Sequence, residues 1–404
     1  MLPSLLPLEE ELRRYLTELE AGDLDRQLSL ASGIDFASND YLGLRRDAEF
    51  RRRVLLRMEA EPELGAPASR LLRGHSAIHQ RLEQRLATFK GSDSALLFST
   101  GYQANLGVLT GLVGAQDRVL SDQLNHASII DGLRLAGCKK VIFPHRDVAA
   151  VEGALATRHV GGRTFLVTES LFSMDGTIAP LDHYADLAQR FGAELIVDEA
   201  HATGLFGRRG SGLVERFGVE ERVTATISTF GKAFGSFGAC VAGSEVLIRT
   251  LLNRARSFIF TTAPPPLLLT AVESALDLMA SQPERRRRVL ELADRLRRGL
   301  RGWGIDSLPS EGPIVPVVLG SNARALAVAK RLQEKGLDVR AVRPPTVPEG
   351  TARLRISIHA DHREEDLERL ARELAAAVRA PDQEEMQAVS TASREIPKPR
   401  AVAS

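Results

Sequence analysis

Glu194-Leu195-Ile196-Val197-Asp198-Glu199-Ala200-His201 is a short apolar run that ends on a carboxylate. Three branched aliphatic residues in succession suit a strand buried on both faces. Similar runs recur on both sides of it: Ala95–Phe98, Arg118–Leu120, Lys140–Phe143, Thr164–Val167, Val223–Ile227 and Ala239–Ala242. Segments of helical periodicity at 101–111, 126–135, 147–157 and 181–192 separate several of them. Strands alternating with amphipathic helices predict an α/β chain with a mostly parallel sheet covered on both faces. Ligands of such sheets bind beyond the carboxyl ends of the strands, so the polar groups after Val167, Val197 and Ile227 mark the expected site.

Outward from this core, residues 1–45 read as an N-terminal segment with a surface helix at 8–19 and a short strand at 34–37. Helices at 48–59 and 77–89 lead into a large domain over 46–264. After Pro264-Pro265-Pro266, a helix-rich stretch at 267–302 leads to a small α+β domain ending near 380, with strands at 314–319, 338–342 and 352–357. Residues 381–404, rich in Pro, Ser, Glu and Lys without periodicity, read as a disordered tail. The chain has 404 residues, with 53 Lys plus Arg against 52 Asp plus Glu, so no cationic excess points to nucleic acid or a membrane surface. No apolar run nears the ~20 residues of a membrane span, and no signal peptide is expected. Cys138 and Cys240 are too few for a disulfide framework. A soluble cytoplasmic protein is expected.

Asp198 needs a cation or donors at the end of its strand, and a protonated pyridine nitrogen is one such cation. An N-cap aspartate is the plainer alternative. Lys232 lies in Ser228-Thr229-Phe230-Gly231-Lys232-Ala233-Phe234-Gly235, where small neighbours let a flat cofactor approach. A lysine of depressed pKa beside such a cofactor forms a Schiff base, whereas a solvated loop lysine is the default for the loop alone. Gly101-Tyr102 opens a helix whose first amides suit a phosphate, though strand-to-helix turns commonly look the same. His126, also at a helix start, reads as a structural histidine or as a ring that stacks on an aromatic cofactor. Asp-Glu-Ala-His also occurs in helicases, but a G-x-x-x-x-G-K-[ST] loop is missing because Ala233 follows Gly231-Lys232. His75 and His79 have metal-ligand spacing without a third ligand, so no metal is expected. The arginine run 285–288 reads as a solvated helix face. Arg353 and Arg355 share one strand face, where one of them suits a carboxylate.

These segments, with Ser38-Asn39-Asp40-Tyr41-Leu42-Gly43-Leu44, Ser69-Arg70-Leu71, Leu124-Asn125-His126-Ala127-Ser128, Phe172-Ser173-Met174-Asp175-Gly176 and the run Arg343–Arg355, resemble the α-oxoamine synthases. That family consists of fold-type I pyridoxal-phosphate transferases, and the likeness spans about 34–379. The run at 343–355 is closest to the branch serving biotin biosynthesis. The resemblance implies that Lys232 carries the cofactor, Asp198 pairs with its pyridine nitrogen and His126 stacks on its ring. It places Ser173 and His201 at the ring oxygen, and Gly101, Tyr102 and Thr229 at the phosphate. Thr261 and Thr262 would reach the phosphate of a neighbouring subunit in a homodimer. Asn39 and Arg355 would take the amino-acid carboxylate, Thr346 would touch substrate, and Arg13, Arg14 or Arg26 would meet a distal carboxylate. The implied reaction condenses L-alanine with a pimeloyl thioester, on CoA or a carrier protein, with loss of carbon dioxide. Rival readings are a ligase using glycine and acetyl-CoA, an aminotransferase, and a non-catalytic binding protein on the same scaffold.

Overall fold

A computed structural model describes residues 7–380; the tail at 381–404, expected to be disordered, lies outside the described residues. Seven strands form the main sheet in the order Ser94–Phe98, Ala239–Gly243, Ala225–Thr229, Glu194–Asp198, Thr164–Glu169, Arg118–Asp122, Lys139–Phe143. Only Ala239–Gly243 runs against the others. Successive side chains alternate between the two faces, which explains why the strands are apolar throughout. Leu97, Leu120, Leu166, Leu195 and Val197 join one core. Leu96, Val119, Phe165, Val167 and Ile196 join the other, beneath the helices Gly101–Leu112 and Glu245–Arg254.

A second sheet carries Arg340–Val342, Ala352–Ser357 and Ile314–Gly320, all antiparallel. The strand expected over 338–342 is split at Val339, whose side chain is fully buried and whose amide turns back to Leu337 O at 2.9 Å. Its first part, Leu337–Asp338, pairs instead with Ile34–Asp35 from the N-terminal segment. That pairing delivers the following loop to the site. Asp35 Oδ1 accepts from the amides of Ala37 (3.1 Å) and Ser38 (2.9 Å), and Asp40 accepts from those of Leu44 and Arg45. Ser357 N donates to Phe36 O at 2.8 Å, fastening the loop to the strand that holds Arg355.

The arginine run is only in part the solvated face that its charge suggested: Arg287 is exposed, while its neighbours reach loop carbonyls. Arg285 donates to Leu42 O and Asp47, buried Arg286 to Met279 O and Arg208 O, and Arg288 to Ala360 O and His362 O. A guanidinium carries five donors, and here they satisfy loop carbonyls that turn away from any ladder. Likewise His79 is occupied in packing: its ring nitrogens meet Ser76 Oγ at 2.9 Å and Pro264 O at 2.9 Å, and burial lowers its pKa to about 4. Both cysteines are free and buried.

Directly behind Asp198, Glu199 is buried and paired with Lys90 at 2.5 Å; the lysine also donates to Ser211 O at 2.6 Å. Glu199 Oε1 accepts from Val214 N at 2.9 Å. The pair clamps the 199–214 loop to the helix Ala77–Lys90. Removing one partner of a buried pair leaves the other charge uncompensated. Lys90→Met is therefore expected to lower stability by about 3 kcal/mol or more, read from urea denaturation at fixed protein concentration.

Candidate active site

The carboxyl ends of the parallel strands converge on a cavity of about 460 Å³. Asp198 forms part of its lining. One of its oxygens accepts from Ala200 N at 2.8 Å and the other from Asn105 Nδ2 at 2.7 Å. Asn105 lies one helical turn beyond Gly101, and its amide also reaches Ser128 Oγ at 2.9 Å. Ser128 Oγ in turn meets His126 Nδ1 at 2.8 Å, and His126 caps the helix Ala127–Ala136. A chain of hydrogen bonds thus fixes the His126 ring relative to the carboxylate. Burial lowers the pKa of His126, and Lys232 adds to the effect while Asp198 opposes it.

Lys232 Nζ enters the same cavity 3.2 Å from Thr229 Oγ1. Burial lowers its pKa, with Arg355 acting in the same direction and Asp198 and Glu169 opposing. The connection that presents it doubles back: Phe230 N bonds Gly238 O at 2.8 Å and Ser236 N bonds Phe230 O at 2.8 Å. Gly235 sits in that turn at φ 57°, where a Cβ would come within 2.8 Å of Leu44 Cβ. Across the cavity the helix Gly101–Leu112 begins, with Thr100 Oγ1 accepting from Gln103 N at 3.1 Å. The first helical amides have no intrahelical acceptor, and Gly101 and Tyr102 line the cavity. A Cβ at Gly101 would stand 2.4 Å from Thr229 Cγ2, so glycine lets the helix start approach the Thr229 side chain.

This donor set fits pyridoxal phosphate. An amide-rich helix start suits its phosphate, Asp198 its ring nitrogen, Lys232 its aldehyde and His126 a ring face. The aminotransferase class I and II family model matches residues 31–374. A Geobacillus kaustophilus protein named putative 8-amino-7-oxononanoate synthase is 45% identical over 359 residues, 88% of this chain and 91% of its own. The 8-amino-7-oxononanoate synthase of Anaeromyxobacter dehalogenans strain 2CP-1 is 48% identical over 331 residues, 81% of this chain and 82% of its own. The chain belongs to the 8-amino-7-oxononanoate synthase family. A solved structure of serine palmitoyltransferase with PLP superposes with a TM-score of 0.85 at 30% identity, covering 93% of this chain and 98% of that one. The enzyme is accordingly a PLP-dependent transferase of fold type I.

Asn39, Gly101, Tyr102, His126, Ser173, Asp198, His201, Thr229, Lys232 and Arg355 all line the one cavity. Six other candidates do not. Thr346 lines an adjoining cavity of about 870 Å³ that shares His126, Ser173 and Met174 with the first. Thr261 and Thr262 lie outside, near Gln103 and Ser99, with Thr262 exposed. Arg13 sits on the helix Pro7–Ala21, which buries no residue, and it lines neither cavity; Arg14 and Arg26 are exposed too. That helix is held at its C-terminal exit, where Asn322 donates to Gly22 O and Arg343 to Asp23 O and Asp25 O.

Three site residues escaped the sequence reading. Asn105 is one of two amides, with Gln103, on a mostly apolar helix, and Tyr41 lies within the segment Ser38–Leu44. Glu169 ends its strand as Asp198 does, and the two are register partners on adjacent parallel strands, so their side chains share a face. Glu169 lines the cavity, is buried, and has one carboxyl oxygen without a hydrogen-bond partner. Burial first, and then the Asp198 charge, raise its pKa well above the ordinary carboxylate value. A carboxyl whose folded pKa is raised contributes stability below its unfolded pKa and loses it as pH rises through the folded one. Glu169→Gln removes that loss. The melting-temperature difference between Glu169→Gln and the parent is expected to grow in favour of the variant from pH 5 to pH 8, and a constant difference would refute the buried neutral acid.

Proposed function

We propose that the enzyme condenses L-alanine with a pimeloyl thioester, carried on CoA or a carrier protein, to give 8-amino-7-oxononanoate, carbon dioxide and the free thiol. The reaction belongs to biotin biosynthesis, and the enzyme acts as a cytoplasmic homodimer. The observation that carries this reading is the adjoining 870 Å³ cavity, walled by Ile130, Met174, Pro344, Pro345 and Val347. It offers an apolar acyl chain a place against the amino-acid site. An acetyl group would leave most of it unfilled, which weighs against the glycine and acetyl-CoA reaction. The names of the relatives point the same way. Thr261 and Thr262 support the dimer, because neither lines the cavity of its own chain and Thr262 is exposed.

Bound pyridoxal phosphate supplies the electron sink that accepts charge from the substrate Cα. The chain supplies binding, orientation and proton transfer. Gly101, Tyr102 and Thr229 would hold the phosphate, while His201 and Ser173 would meet the ring oxygen. Asp198 would favour the charged ring nitrogen, which deepens the sink, and His126 would pack against the ring. Arg355, with Asn39, takes the alanine carboxylate; a guanidinium presents the two parallel donors that a carboxylate matches. Lys232 is the amine that holds the cofactor until alanine arrives. Its lowered pKa then frees a lone pair to take the Cα proton. A carbon–carbon bond forms to the thioester carbonyl as the thiolate leaves and is protonated. The former alanine carboxylate departs as carbon dioxide, and Lys232 returns a proton to Cα. Thr346, beside the second cavity, contacts the acyl part.

Purified enzyme given L-alanine or glycine with a panel of acyl thioesters decides the substrates. Product mass spectrometry is expected to show 8-amino-7-oxononanoate from alanine and pimeloyl thioester at least about tenfold faster than any glycine product. Product from glycine plus acetyl-CoA alone overturns the assignment, and pyridoxamine phosphate accumulating with alanine alone indicates an aminotransferase. Asp198→Asn removes the charge opposite the ring nitrogen and is expected to cost about 100-fold or more in kcat. Lys232→Ala is expected to lose the visible absorbance of lysine-bound cofactor.

A further inference from the structure

Tyr41 is fully buried, behind the cavity wall, and its hydroxyl gathers three groups. His201 Nδ1 lies at 2.7 Å, Asn39 Oδ1 at 3.2 Å, and Arg355 Nη2 at 3.3 Å. All three neighbours line the cavity, whereas Tyr41 does not. The direction of each bond follows from what each group carries. Arg355 only donates, so it occupies a lone pair of the phenol oxygen and makes the O–H a stronger donor. The single phenol proton then has two acceptors, the imidazole nitrogen and the amide oxygen. The imidazole nitrogen is the stronger base and the nearer by half an ångström.

His201 itself is kept neutral, because burial and the charges of Lys232 and Arg355 hold its pKa well below the ordinary value. A neutral imidazole that accepts at Nδ1 carries its proton on Nε2. Among the described residues Nε2 has no hydrogen-bond partner, and the residue lines the cavity.

We propose that Tyr41 is a positioning residue that fixes His201 as the Nε2–H tautomer, so that His201 presents a donor to the ring oxygen of the bound cofactor. This rests on the reading of the cavity as the pyridoxal-phosphate site, and not on which acyl substrate is used. The phenol never touches cofactor or substrate and acts only through the imidazole. Arg355 takes part twice, once as the carboxylate clamp and once as the group that aims the phenol proton.

A donor on the ring oxygen stabilises negative charge there and so lowers the proton affinity of the lysine-bound chromophore. The test is a pH titration of the visible absorbance of the holoenzyme without substrate, comparing the parent with Tyr41→Phe. The phenyl ring retains the packing and loses only the hydroxyl. Tyr184→Phe is the control, since the Tyr184 hydroxyl is also buried but makes no hydrogen bond among the described residues and lies outside the cavity. The titration midpoint is expected to rise by about half a unit or more in Tyr41→Phe, roughly a threefold change in the proton equilibrium, and to stay unchanged in Tyr184→Phe. An unchanged midpoint in Tyr41→Phe, with cofactor bound stoichiometrically, overturns the proposal. Should that variant fold poorly or shed cofactor, 3-fluorotyrosine placed at position 41 keeps the packing and strengthens the donor. Its midpoint is then expected to fall, and no fall overturns the proposal. Because the titration uses no substrate, failure to form 8-amino-7-oxononanoate leaves its outcome intact, so the two readings fail separately.

Discussion

The Asp198 carboxylate stands at the end of a strand whose other residues are buried on both sides, and the rest of the site is organised around it. An ionised group in such a place is tolerated only among donors and a compensating charge. One donor is local, the Ala200 amide of the turn that the strand runs into. The other is Asn105, brought from a helix that crosses over the sheet. Because Asn105 also holds Ser128, and Ser128 holds His126, satisfying one carboxylate orients the histidine. The compensating charge comes from Lys232 in the connection that follows the next strand over and, in the loaded enzyme, from the cofactor ring.

Charge balance in the cavity explains several further features. Two carboxyls, Glu169 and Asp198, emerge side by side from paired strands. Like charges so close cannot both ionise readily, so the more buried of the two retains its proton. Lys232 and Arg355 repel a proton from His201, and burial does the same more strongly. The histidine therefore stays neutral, and a neutral histidine has two distinguishable nitrogens whose roles a neighbour can set. Tyr41 is that neighbour, and it comes from a segment almost at the other end of the chain from Arg355.

Behind these groups lies a layer of ionic clamps that hold loops rather than substrates. Lys90 and Glu199 secure the turn after Asp198, and Arg285, Arg286 and Arg288 gather carbonyls from three different loops. Irregular backbone near a buried site carries carbonyls with no strand or helix to satisfy them, and long cationic side chains do so from a distance. In this chain three of the four arginines of the run are therefore structural cement, and Arg287 keeps to the solvated face.

Sequence alone determined the alternating strands, the parallel sheet and the carboxyl-edge location of the site, because side-chain periodicity and strand length are local properties. It also made Asp198 and Lys232 conspicuous, since a charged group just beyond a buried strand stands out where it is, whereas His126 and His201 took their roles from the family resemblance. The same rule applied to Glu169, whereas nothing local set Asn105 apart from Gln103, and neither acquires meaning until the neighbouring strand or helix is in place. Only the tertiary structure split the strand at 337–342, laid residues 34–45 against it and so brought Tyr41 and Asn39 to Arg355. It also removed Arg13 from the cavity and moved Thr346 to the adjoining one. Those outcomes depend on pairings across some three hundred residues, whose free energy comes from buried area and hydrogen bonds that no local stretch contains.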